Sequence, residues 1–385
     1  MQIKDFVEIE CLLEFCLHKR NNAHSICQFS ASILENKEDA CLKSSGSTIS
    51  VIDDSGRPLF YGRIDHVEVE HTQYSSTVMI KAVSLSILLD EKTKNRIFHA
   101  PEKKWSDILS KNRLKIENGD LRLENNLGQK KCEPVILQYL ETNFAFLLRM
   151  AAQLKANLWV IDTRQQSQIF IGKSPESNTL NISSDHILSC TRICHGKEIS
   201  WRIQSDRFLD LGSIVKIDTE AKDSTQYIIY DFKLCLEHGS WRYWYELIPK
   251  DKQSNTEISA PLPEKSVLLH ATVKDSKDSK NKGRIQVEFD DKFIEDMDKD
   301  KRLWVPWHTP YTGKEGGIVF IPDVGDPAPP ASLGEAAGER KDQEGLDEDR
   351  QDPVRTSGKG GPRAGHRRRA AYLRGPHRPV GAQRL

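Results

Sequence analysis

The chain has 385 residues, 37% hydrophobic and 29% charged, with 56 Lys plus Arg matched by 56 Asp plus Glu. That length suffices for two to four domains with their own cores, and no apolar run approaches the roughly 20 residues of a membrane-crossing helix. Non-specific nucleic-acid binding by the body has little electrostatic support: residues 327–385 hold 12 basic against 8 acidic side chains, leaving 44 against 48 in residues 1–326.

The start of the chain, with Asp5, Glu8 and Glu10, lacks the basic and then apolar pattern of a secretory signal, so cytoplasmic synthesis is expected. Residues 1–95 read as β-structure. The runs Thr48–Asp53 and Thr77–Val83 are rich in β-branched residues, and Asp54-Ser55-Gly56-Arg57-Pro58 supplies turn chemistry between strands. Residues 96–180 read as an α+β unit. Trp105, Ile108 and Leu109 share a helical face, and a clearer helix spans Thr142–Lys155, with Thr142 as its N-cap and Phe146, Leu147, Met150, Ala151 and Leu154 at the helical period. Two strands follow, Leu158–Ile161 and Ser167–Ile171, around a polar turn.

Residues 181–250 return to strands, at Ile214–Ile217, Tyr227–Phe232 and Trp241–Ile248. Residues 251–264, with Pro261 and Pro263, read as a linker, and residues 265–326 as a third β-unit. From Pro327 large apolar side chains are too sparse for a core, and Lys gives way to Arg amid Gly, Pro and Ala. Residues 327–385 therefore read equally as a disordered basic tail or as translation in a shifted frame.

Four clusters carry possible chemistry, and each has a plainer reading. Cys190, Cys194 and His195, with His186 nearby, have zinc-ligand residue types, but no second ligand pair lies at a recognised distance, and the eight cysteines are scattered as reduced structural thiols are. The acidic run Glu288–Asp300 lacks the ligand pattern of an EF-hand and reads as a solvated loop. Gly172-Lys173-Ser174 ends like a phosphate-cradling loop, but Ser167 stands where such a loop needs Gly. Trp304, Trp307 and Tyr311 could stack on bases, although the acidic neighbourhood favours packing instead. No Gly-x-Ser-x-Gly turn occurs. No catalytic, cofactor or metal residue is assigned.

Three segments together resemble the VgrG and phage late-control protein D family. The first is Gly56-Arg57-Pro58-Leu59-Phe60-Tyr61-Gly62-Arg63-Ile64 with Ser84 to Leu89 and Arg96-Ile97-Phe98. The second is Gln138-Tyr139-Leu140-Glu141-Thr142-Asn143 through Phe146, Arg149 and Ala151, a helix-entry motif. The third is Gly283-Arg284-Ile285-Gln286-Val287-Glu288-Phe289, then Leu303-Trp304-Val305-Pro306 and Gly316 to Asp326.

The resemblance implies a mainly β architecture with an α+β insertion: two tube-type β-barrels followed by an OB-like spike-base barrel. It implies a non-enzymatic hub and spike subunit of a contractile injection machine, a phage tail baseplate or a type VI secretion-like device, without cofactor. The partners implied are two further copies in a homotrimer, the inner tube protein, baseplate proteins and a spike-tip protein or effector, with no nucleic acid and no membrane span. After cytoplasmic synthesis the subunit would be assembled into the machine and delivered outside the cell. A tail-associated cell-wall hydrolase and a nucleic-acid-binding OB-fold protein are the alternatives. The resemblance is drawn to residues 1–326. Because Pro327, Pro329 and Pro330 cannot donate ladder hydrogen bonds, the third barrel is expected to be incomplete, with an open edge.

Overall fold

Strand alternation dictates most of the architecture, because a residue pattern of period two turns every second side chain toward a core. The computed structural model describes residues 1–333 apart from 74, 100–102, 117–118, 133–134, 177–178, 196–197, 218–224, 252–266, 281–282, 290–295, 298–301, 308–310, 313–316 and 319–320. The expected linker at 251–264 lies almost wholly outside the described residues.

The N-terminal part contains β1 (Gln2–Lys4), β2 (Cys11–Arg20), β3 (Ile26–Ile33), α1 (Glu38–Lys43), β4 (Thr48–Ile52), β5 (Pro58–His71) and β6 (Ser76–Ser84). In β2, Phe15 and Leu17 are buried while Cys16 and His18 face outward. The turn between β4 and β5 closes on Asp53, whose carboxylate accepts from the backbone of Ser55 and Arg57 and from the Arg57 guanidinium. Glycine is required at position 62 of β5, where an added Cβ would meet the Val83 carbonyl at 2.5 Å.

The connector comprises β7 (Thr93–His99), α2 (Trp105–Ile108), α3 (Lys111–Leu114), β8 (Gly119–Leu123), α4 (Asn125–Gly128), β9 (Val135–Thr142), α5 (Asn143–Gln153), β10 (Asn157–Ile161) and β11 (Ser167–Gly172). Its core gathers Phe98, Trp105, Phe146, Leu147, Met150, Leu158 and Ile169. The helix expected from Thr142 begins there, with Thr142 Oγ1 accepting from the Ala145 N–H at 3.1 Å.

The third part holds β12 (Thr179–Ile182), β13 (Ile187–His195), β14 (Glu198–Ser205), β15 (Ile214–Ile217), β16 (Tyr227–Glu237) and β17 (Ser240–Pro249). Its strands are continuous with those of the first part. The order β1-β4-β5-β6-β3-β2-β16-β17-β14-β13, with β12 and β15 joined to β16, makes one twelve-stranded sheet. A bulge between Ile229 and Asp231 lets β16 pair with β15 at Tyr227 and Ile228 and then with β2 at Asp231–Cys235. One core underlies both halves, Phe15, Leu17 and Phe29 packing with Ile203, Phe232, Leu234 and Tyr245. Local periodicity identifies such strands but carries no information about which edges pair across some two hundred residues.

A buried charge ties the three parts together. Lys19, on β2, is 1% exposed. Its ammonium donates to Asp162 at 2.6 Å, in the turn between β10 and β11, and to Asp210 at 3.3 Å, before β15. Burial alone would pull the proton off Lys19, but the two carboxylates outweigh it and raise its pKa, while burial pushes the Asp162 carboxyl up.

The last described part has β18 (Val267–Asp275), β19 (Arg284–Phe289), β20 (Asp296–Met297), β21 (Arg302–Pro306), β22 (Tyr311–Thr312), β23 (Gly317–Ile318) and β24 (Pro327–Leu333). Here the expectation that no strand follows Asp326 fails. β24 pairs antiparallel with β18, giving the order β21-β19-β18-β24. The prolines fit because β24 is the edge strand, and because Pro329 and Pro330 fall where the register shifts between Leu269 and Ala271. Ala328 is buried against Val273 and Phe289. The turn into β24 uses Gly325, at φ +100°, whose N–H donates to Val273 O at 2.9 Å, as does the Val273 N–H to Asp326 O. Asp296 and Met297, expected in a solvated acidic loop, instead form β20 against β7; residues 290–295 and 298–300 lie outside the described residues.

Two expectations follow. Ending the chain at Asp326 removes the partner of Val267–Thr272 and should lower the unfolding midpoint of this barrel and promote aggregation, whereas ending it at Glu335 should not; calorimetry and light scattering check this. Lys19→Met leaves two carboxylates facing each other without their cation and should cost about 3–5 kcal/mol in urea unfolding.

Candidate functional site

The β7 and β9 pair is apolar on both faces, and this makes it the junction between the body and the last barrel. Phe98 and its register partner Ile136 enter the connector core. Ile97 and its partner Leu137 face the other way and pack, with Tyr139, against Val273, Ile285, Val287, Phe289 and Leu303. β20 extends this sheet by pairing in parallel with Arg96 and Ile97 of β7. Burying each such side chain contributes roughly 1.5–3 kcal/mol, so the contact is a firm one.

The helix-entry motif Gln138 to Arg149 explains how the junction is held in register. Gln138, fully buried, donates through Nε2 to Glu141 O at 3.0 Å and Asn143 Oδ1 at 3.2 Å. The Arg96 guanidinium on β7 donates to the same Asn143 Oδ1 at 3.0 Å. Arg149 from α5 grips the Glu141 carboxylate at 3.0 and 2.7 Å and the Leu137 carbonyl at 2.5 Å. Thr142, besides capping α5, donates to Asp90. Each polar residue of the motif therefore fixes either the β9 backbone or the start of α5.

A Ser–His–Asp constellation lies beside it, which the sequence gives no signal for because the residues come from separated segments. His24 Nδ1 contacts Ser86 Oγ at 2.6 Å and its Nε2 contacts Asp90 at 2.8 Å. Burial raises the Asp90 carboxyl, but bonds from His24 and Thr142 outweigh it and hold its pKa below the usual value. Ser86 is only 1% exposed and bonded to Ser84 Oγ at 2.8 Å, and the His24 ring lies against Phe144. A substrate carbonyl has no approach to such a hydroxyl, so the arrangement pins the exit of β6 to α5.

The clusters singled out in the sequence are dispersed. Cys190 and Cys194 lie on β13, opposite Ile203 and Ile199, and four residues along a strand separate them by about 13 Å, too far to share a zinc ion. His186 pairs with Asp206 at 3.0 Å, and the His195 side chain lies outside the described residues. Among the described residues no group of three or more His, Cys, Asp or Glu side chains is placed to hold a metal. Gly172 ends β11, and the Lys173 N–H that would face a phosphate donates to Glu124 at 2.8 Å. Trp304 lies under the Arg284 guanidinium, 5.6 Å from the ring centre, and Arg284 is clamped by Asp278 at 2.8 and 2.9 Å. Trp307 packs beside the third core, and the Tyr311 side chain lies outside the described residues. Among the described residues no helix is long and apolar enough to cross a membrane.

With this geometry in place, the relatives become informative. Residues 269–333 match the family of type VI secretion system and phage-baseplate injector OB domains, a match that runs through β24 and past Asp326. The likeness therefore does not stop at Asp326, where the sequence alone suggested it would. Its fold is similar to that of the Escherichia coli c3393 protein, a component of the type VI secretion system with structural similarity to the T4 bacteriophage tail proteins gp27 and gp5. The two share 13% identity over 79% of this chain and 92% of that one, at a TM-score of 0.60. A chain of the Francisella PdpA-VgrG complex matches at 13% identity over 82% of this chain and 71% of its own, TM-score 0.50. The 43 kDa tail protein of prophage MuSo2 from Shewanella oneidensis matches at 11% identity over 63% and 95%, TM-score 0.50. No curated protein sequence matches significantly. The fold is thus β-rich and like that of these type VI and tail proteins, with the OB-domain match at residues 269–333.

If the motif network holds the junction, Arg149→Met should leave Glu141 half-buried without its partner and cost about 2–3 kcal/mol. Hydrogen exchange should then show faster opening of β9 and of the barrel packed on it, with the twelve-stranded sheet unchanged.

Proposed function

We propose that this chain is the structural hub and spike-base subunit of a contractile injection machine, joining the inner tube to the spike without catalysing a reaction. The observation that carries the reading is a barrel matching the injector OB domains packed, through Ile97, Leu137 and Tyr139, onto one face of the antiparallel β7 and β9 pair, whose other face enters the connector core. Axial load on the spike base passes directly into β7 and β9, and from the connector into the twelve-stranded sheet through Lys19 and Asp162. Three copies close head to tail into a ring, and the inner tube and baseplate proteins dock on it. The division into residues 1–95, 96–180, 181–250 and 265–326 is that of two tube-like β-units, a connector and the spike base, the last continued through β24 to Leu333. Assembly follows synthesis in the cytoplasm. A spike-tip protein or effector caps the machine beyond the residues described.

The hydrolase alternative has in its favour only the His24, Ser86 and Asp90 geometry, with its hydroxyl sealed. The nucleic-acid alternative requires an open aromatic face, and the described ring of Trp304 is covered by Arg284.

Native mass measurement of the full chain, alone and with the tube protein of the same machine, should give a trimer. A strict monomer under both conditions overturns the hub reading, as does peptidoglycan hydrolysis abolished by Ser86→Ala without loss of folding.

A further inference from the structure

The seam between β2 and β16 sets two cysteines directly opposite each other. Cys16 and Cys235 are register partners, and antiparallel partners lie about 4.5–5.5 Å apart at Cα, inside the 4.4–6.8 Å that a disulfide spans. Their sulfurs are 2.9 Å apart, the Cys235 thiol donating to Cys16. Both are half-buried on the outward face of the seam, while Phe15, Leu17, Phe232 and Leu234 fill the core beneath. The bond from Cys235 lowers the Cys16 pKa to about 7, overcoming burial with help from His18 and Lys233. The same bond, with burial, pushes Cys235 far up. One sulfur is thus poised as a nucleophile and its neighbour is kept protonated.

We propose that Cys16 and Cys235 form a redox-active pair that closes to a disulfide by exchange with a small oxidised thiol such as glutathione disulfide, stapling the two halves of the twelve-stranded sheet. The Cys16 thiolate, its proton already given to solvent, attacks one sulfur of the small disulfide, breaking its S–S bond, forming a mixed disulfide and releasing one thiolate that takes a proton from solvent. Cys235 then gives its proton to solvent and attacks the Cys16 sulfur, breaking the mixed disulfide and releasing the second thiol. The protein loses two hydrogens and the small disulfide gains them.

The other cysteines are poor competitors, Cys132 among them with its thiol donating to the Lys103 carbonyl at 3.2 Å. Cys27 and Cys41 are buried, and burial raises both pKa values. Cys11, Cys190 and Cys194 face Ser32, Ile203 and Ile199 across their ladders, so none has a sulfur opposite it. The loop closed by the proposed bond spans 219 positions, the regime in which a cross-link most restricts the unfolded chain.

The test uses the full chain, incubated near neutral pH with glutathione disulfide, quenched in acid with an alkylating agent and mapped without reduction. The expected result is a Cys16–Cys235 cross-linked peptide as the dominant product, with the thermal transition of the large sheet raised by roughly 5 °C or more and returned by dithiothreitol. Cys235→Ser should stop the reaction at a lasting glutathione adduct on Cys16, and Cys16→Ser should give neither product at the seam. The proposal is overturned if the folded wild-type chain keeps both thiols alkylatable, if its glutathione adduct on Cys16 never resolves, or if the cross-link forms only in denaturant. Mapping of the wild-type chain decides the matter even if a variant fails to fold.

Discussion

A single ammonium group governs how the parts of this protein are held. Lys19 lies where β2, the turn after β10 and the segment before β15 converge, and its two carboxylate partners come from the other two elements. A buried ion pair is a weak source of net stability, since desolvation consumes most of the attraction. What it supplies is exclusivity: any arrangement that separates the three segments strands at least one charge in an apolar interior. The large sheet and the connector are thereby kept in one relation, although their hydrophobic faces alone would tolerate several.

The junction with the last barrel works by a different principle. There one ion pair, Arg149 with Glu141, braces β9 against α5, while β7 and β9 present apolar side chains on both faces and the other polar residues of the helix-entry motif go to backbone and cap contacts. Shape and register do the positioning. A motif that looks catalytic in composition, with Gln, Glu, Thr, Asn and Arg in close sequence, is thereby accounted for as a mechanical bracket.

Much of this was legible in the sequence, for identifiable reasons. Thr142 announced α5 because a capping hydroxyl and a helical apolar period are both local signals. Ile214–Ile217 was readable as a strand for the same reason. The continuity of the two β-rich units was not, because β2 and β16 meet only in space, nor was the meeting of His24 with Ser86 and Asp90. The prolines after Asp326 misled in an instructive way. Proline forbids a central strand but not an edge strand with a bulge at its two consecutive prolines, and sequence alone does not say which of these a segment will be.

The two-faced pair of β7 and β9 has a consequence for how the protein is made. Ile97 and Leu137 emerge from the ribosome well before the strands that cover them, since Ala271 and Phe289 are encoded much later. At about 5–20 residues per second, a gap of roughly 170 residues leaves the apolar outer face of β7 bare for on the order of ten to thirty seconds. During that interval the nascent chain displays the same sticky surface that the last barrel of any other copy packs against. Polysomes translating this message thus hold many such faces within reach of one another, and exchange of last barrels between neighbouring copies is the characteristic error this architecture invites.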